Sequence, residues 1–140
     1  MLHSKRTRVI AALALMLVAA ACTTTPDQST AEATLCGSLA TFQTDVQAVA
    51  DLSPDSASVD DLNAATDAVS SSWDQVVTDA QAVSAADTAA LTSAYNDLAQ
   101  AIQDLPTDVA VTDALTTLQP SIDAVNSAYT EMANGLSCAS

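Results

Sequence analysis

The side chains able to do chemistry in this 140-residue chain are carboxylates and three cysteines, with almost nothing basic beside them. All 17 Asp and Glu residues lie between Asp27 and Glu131, whereas Lys5, Arg6, Arg8 and the single histidine, His3, fall at the extreme N-terminus. Beyond Arg8 a serine or threonine therefore has no imidazole or amine to take its proton, which excludes Ser-His-Asp, Ser-Lys and Schiff-base chemistry there. Histidine-held haem and imidazole metal sites fall for the same reason. Nucleic acid is excluded as a partner, since nothing is left to neutralise phosphates, and direct docking on anionic lipid is disfavoured. Two carboxylates hydrolyse a glycoside only across a cleft, and nothing in the pattern implies one. No cofactor is expected, and the chain is read as non-catalytic.

Six carboxylates remain as candidates for joint work. Asp51, Asp55, Asp60 and Asp61 surround the break at Pro54, and Asp104 and Asp108 flank Pro106. If these two breaks meet at one end of a fold, their oxygens suit a weak site for Ca2+ or Mg2+, although no EF-hand loop is present. The simpler reading gives the same residues to turns and helix N-termini. Asp60, Asp67 and Asp74 repeat every seven residues, about 10.5 Å apart on a helix, close to the Debye length at moderate salt. That row reads as a solvated face.

The elements that must position these groups are helical. Leu35, Leu39, Phe42, Val46 and Val49 form one apolar stripe at spacings of three and four. Pro54 interrupts it, and Ser58 with Asp61 three residues later has the form of a capping box for a second helix. The second stripe is Leu62, Ala65, Val69, Trp73, Val76, Ala80 and Val83. A break in the 80s follows, capped by Ser84 or Asp87, because one continuous helix over 59–104 would bury the Asp87 carboxylate. The third stripe, Leu91, Tyr95, Leu98 and Ile102, ends at Pro106. The fourth is Val111, Leu115, Leu118, Ile122, Val125, Tyr129, Met132 and Leu136, with a kink expected near Pro120 and a glycine C-cap at Gly135. These four helices predict an all-α fold, an antiparallel up-and-down four-helix bundle spanning residues 34–140.

The N-terminus reads differently. A basic stretch from His3 to Arg8, an apolar run from Val9 to Ala20 and small residues before Cys22 make an export signal over residues 1–21. The apolar run is about a dozen residues, short of the roughly 20 that span a bilayer core. The junction Ala19-Ala20-Ala21-Cys22 resembles a bacterial lipobox, with alanine at position 19 where leucine is commoner; it also satisfies the Ala-x-Ala pattern of ordinary secretion. The lipobox resemblance implies acylation of Cys22 and a protein anchored by lipid to the outer face of the cytoplasmic membrane, with plain secretion as the alternative. The Ala-, Thr- and Asp-rich remainder is similar, loosely, to uncharacterised lipoproteins of high-GC Gram-positive bacteria, a likeness that implies no activity. Residues 22–33 then serve as lipidated cysteine and flexible tether. Contact with the membrane is through the lipid alone, and the expected partner is an envelope or extracellular protein.

Cysteine parity completes the picture. With Cys22 acylated, Cys36 and Cys138 are left to pair outside the cytoplasm. An up-and-down bundle brings the start of its first helix and the end of its fourth to the same end, where this disulfide closes the fold. One aromatic belongs to each helix, and Phe42, Trp73, Tyr95 and Tyr129 all fall about 12–14 Å above that end at 1.5 Å per residue. A single core aromatic layer is expected there.

Overall fold

Apolar residues spaced by three and four put one greasy stripe on each of four helices, and burying those stripes against each other determines the architecture. A computed structural model describes residues 27–138 and shows α1 (Gln28–Ala50), α2 (Val59–Ala80), α3 (Ala89–Gln103) and α4 (Val111–Gly135), with no strand among the described residues. The fold is the expected all-α four-helix bundle, closed by a disulfide between Cys36 and Cys138 whose Cα atoms are 5.5 Å apart. No described helix is long and apolar enough to cross a membrane. The export signal, Cys22 and the first residues of the tether lie outside the described residues.

The stripes go where their periodicity sends them. Leu35, Leu39, Phe42 and Val46 of α1 are fully buried, as are Val76 of α2, Leu91 of α3 and Leu118 of α4. Backbones approach most closely between α1 and α2, α3 and α4, and α1 and α4. Although consecutive, α2 and α3 stand further apart. Trp73 of α2 and Tyr95 of α3 stack across the space between them.

Helix boundaries follow local chemistry. At Ser58 the reciprocal capping box forms: its hydroxyl accepts from the Asp61 N–H at 3.2 Å, and its own N–H donates to Asp61 Oδ2 at 2.8 Å. The chain breaks over residues 81–88 as expected, but the N-cap of α3 is Thr88 and not Ser84 or Asp87. That break leaves Asp87 exposed, with Oδ1 accepting from the Ala89 N–H at 3.1 Å. Pro120 lies on the exposed face of an uninterrupted α4; the carbonyl it leaves without a helical donor is that of the exposed Thr116, within reach of water.

Two expectations are corrected. Helix α1 starts at Gln28, so residues 28–33 are helix and not tether. Ala31, one turn before Leu35, is small enough to extend the stripe and is buried. Gln28 donates to Glu32 at 3.2 Å and the Thr34 hydroxyl to the Thr30 carbonyl at 2.9 Å, so the polar side chains support the turn. At the other end Gly135 is the last helical residue and has no positive φ. Ser137 takes the left-handed conformation instead, at φ 56°. Its N–H donates to the Asn134 carbonyl and the Cys138 N–H to the Ala133 carbonyl at 2.9 Å, a Schellman ending two residues later than expected. Burial of Leu136 and the bond from Cys138 to Cys36 place the stop there.

Candidate functional site

The antiparallel path puts the loops over 51–58 and 104–110 at the end away from the disulfide, which gathers Asp51, Asp55, Asp60, Asp61, Asp104 and Asp108 at one tip. All six are exposed. Gathered at one end, they still do not converge on one point: among the described residues no three carboxylates, cysteines or histidines are grouped to hold a metal ion. Three of the six have local partners instead, in keeping with the simpler reading of turn and terminus residues. Gln47 donates to Asp51 at 3.1 Å, and Gln100 reaches both oxygens of Asp104 at 3.1 Å. Asp61 turns back on its own helix terminus, accepting the Ser58 N–H and hydroxyl, each at 2.8 Å. Those two bonds, the backbone one foremost, hold the Asp61 carboxyl below its usual pKa.

The aromatic layer forms from three rings and not four. Trp73 and Tyr95 stack with centroids 4.7 Å apart and 20° between planes, while Phe42 meets Trp73 at 5.5 Å and Tyr95 edge-on at 6.2 Å. Phe42 is fully buried, Trp73 nearly so and Tyr95 half-buried. Tyr129 makes no ring pair. The inward face of α4 runs through Val125, Ala128 and Met132, which leaves Tyr129 at the edge of the core with one side toward water. The three rings pack against one another in the middle of the core.

What the stripes did not disclose is the seam between α2 and α3. Above the ring stack, on the tip side, lies a groove of about 290 Å³ lined by Val59, Leu62, Thr66, Ile102, Leu105 and Val109. Below it, toward the disulfide, a second groove of about 350 Å³ is lined by Trp73, Val77, Ala80, Ala86 and Thr92. Between the two, the Tyr95 hydroxyl donates to Ser70 at 3.4 Å. The large apolar side chains that stand exposed in the described protein are Val59 and Val77, at 40% and 39%. Both are on this seam, one in each groove. The only available signal was Val77 directly after the buried Val76, one step off the stripe.

The disulfide sits at the foot of the bundle beside a shallow hollow of about 520 Å³, lined by Glu32, Gly37, Ala40 and Leu136 among others. Bonded to each other, Cys36 and Cys138 offer no thiolate. No protein-family model matches the sequence, and comparison with curated proteins and with solved structures returns no match.

Proposed function

We propose that this is a non-catalytic lipoprotein, exported and held by acylated Cys22 on the outer face of the cytoplasmic membrane, where it works by contact with protein components of the envelope or its surroundings. The observation that carries the reading is the pairing of Cys36 with Cys138, which takes up two of the three cysteines and leaves Cys22 as the remaining one. A disulfide that closes a whole domain belongs to an oxidising compartment. The described surface supports a contact role, because its hydroxyls have no imidazole or amine to activate them and most of its carboxylates stand in water, Asp79 being held instead by the Ser38 hydroxyl.

Intact mass of the protein extracted from membranes tests this directly. The expected species begins at Cys22, carries the mass of attached acyl chains and lacks two hydrogens for the disulfide. A species retaining residues 1–21, with free thiols at 36 and 138, overturns the reading. Photo-cross-linking in intact cells tests the contact role: covalent adducts are expected from probes on the bundle, and turnover of a substrate by the purified protein would displace it.

A further inference from the structure

Resting on the contact role just proposed, we infer that the α2–α3 seam is the contact surface and that its occupant is a basic amphipathic helix of a partner protein. The seam is the one junction of consecutive helices where the backbones stand apart, and it keeps two apolar grooves open on either side of the Trp73–Tyr95 stack. Val59 and Val77 lie 18 residues apart along α2, or about 27 Å at 1.5 Å per residue. An α-helix laid along that length presents five turns, with apolar side chains at successive three- and four-residue spacings above the two grooves.

Charge selects the partner. At 100° per residue, Val59, Thr66, Ser70 and Val77 share the middle of the seam-facing side of α2, and Asp60, Asp67 and Asp74 form a row about 60–100° round from it, on the outer rim. All three are exposed. Their seven-residue spacing equals the two-turn repeat of a partner helix lying alongside, so Lys or Arg at every seventh position meets each of them in register. The opposite rim, on α3, carries Asn96 and Gln103, which are uncharged. The partner helix is therefore apolar beneath, cationic on one flank and neutral on the other. A second copy of this chain fits poorly, since from residue 9 onward it offers carboxylates and no cation to meet the row of Asp60, Asp67 and Asp74.

The test uses protein purified from the cells that make it and a synthetic 21-residue helix of Leu, Ala and Lys, with Leu at three- and four-residue spacings and Lys at every seventh position. Binding is read from the emission of Trp73, the only tryptophan, which lines the lower groove. The expected result is saturable binding that weakens with salt, and that weakens about tenfold in the triple variant Asp60→Asn, Asp67→Asn, Asp74→Asn, through the loss of three exposed pairs. The control triple variant Asp97→Asn, Asp113→Asn, Asp123→Asn removes the same charge elsewhere and is expected to change affinity less than about threefold. Equal losses in the two triples, or equal binding by a peptide of the same composition with its Leu spacing scrambled, would overturn the seam. So would concentration-dependent dimers abolished by Val77→Gln, which would make a second copy the occupant. Photo-probes at positions 77 and 97 in cells separate the two levels: adducts at 97 alone remove the seam and leave the contact role standing, and adducts at neither remove both.

Discussion

Breaking the disulfide is the perturbation whose size follows most directly from the fold. Cys36 and Cys138 are 102 residues apart in sequence, so their bond closes nearly the whole domain into one loop. In the chain-entropy model a loop of that order restricts the unfolded state by about 4.7 kcal/mol. A domain of this size has roughly 5–15 kcal/mol in total, so the double variant Cys36→Ala, Cys138→Ala loses between a third and nearly all of its stability. Both cysteines are only half-buried, which keeps the packing loss small beside the entropy term. At roughly 4–8 °C per kcal/mol the melting temperature falls by about 20–35 °C. Urea unfolding, followed by Trp73 emission and far-ultraviolet circular dichroism, is the assay. The midpoint should fall while the m-value rises, because an uncrosslinked chain exposes more surface when it unfolds. Reductant should move the wild type onto the curve of the double variant and leave the double variant where it is. A difference below about 1 kcal/mol with an unchanged m-value would refute the reasoning, since the loop would then carry no constraint.

Four smaller effects are expected. Gly37→Ala, in the body of α1 where the added methyl meets nothing within 4 Å beyond its chain neighbours and its own helix backbone, should stabilise by about 0.5–1 kcal/mol in the same urea titration. Ser137→Gly should also stabilise, by up to about 1 kcal/mol, because serine is held at φ 56° where glycine has no steric penalty. Asp61→Asn should destabilise at neutral pH. Since the folded carboxyl titrates below its usual value, its contribution is present above the ordinary aspartate pKa of about 3.9 and is lost as pH falls through the lowered value, so the gap between wild type and variant should close under acid when unfolding is measured against pH. Millimolar calcium should raise the melting temperature no more than sodium at equal ionic strength; a calcium-specific rise would show that the tip carboxylates converge in solution.

Much of the fold was legible because its signals are redundant. The stripe from Leu35 to Val49 specifies a helix, Ser58 and Asp61 specify where the next begins, and Asp87 forbids one rod from Val59 to Asp104 by the cost of burying it. The start of α1 was not legible, because Ser29 and Thr30 look like linker until Ala31 is seen packed beneath Leu35's turn. Gly135 misled for a related reason: a glycine near a helix end invites termination before it, but the burial of Leu136 and the fixed position of Cys138 keep Gly135 helical and move the left-handed residue to Ser137. Tyr129 shares the height of the other rings and misses their layer, since periodicity gives the level of a side chain along the bundle and not which neighbour its face meets. The seam is the largest feature of this kind. Hydrophobic spacing marks the side of α2 that is buried and says nothing of how far α3 stands off from its flank.

The distribution of charge points beyond stability. Stability alone would place Lys or Arg in the last turns, where cations are worth about 0.3–1 kcal/mol against the helix dipole, and would pair them with carboxylates four residues away. No helix here has a basic residue in its last turn. Acids stand there instead, with Asp51 and Asp104 at the C-caps of α1 and α3 and Asp79 just before the end of α2. Each receives a hydrogen bond from a glutamine four residues back, Gln47, Gln100 or Gln75. Gln28 and Gln119 do the same for Glu32 and Asp123. An amide donor supplies the local support of an ion pair and leaves the negative charge uncancelled. The bundle thus obtains its i to i+4 contacts without a cation, and every carboxylate retains its field. Such a surface is costly for the fold and useful for meeting something positive, which is the property the rim of the seam brings to bear beside its open apolar grooves.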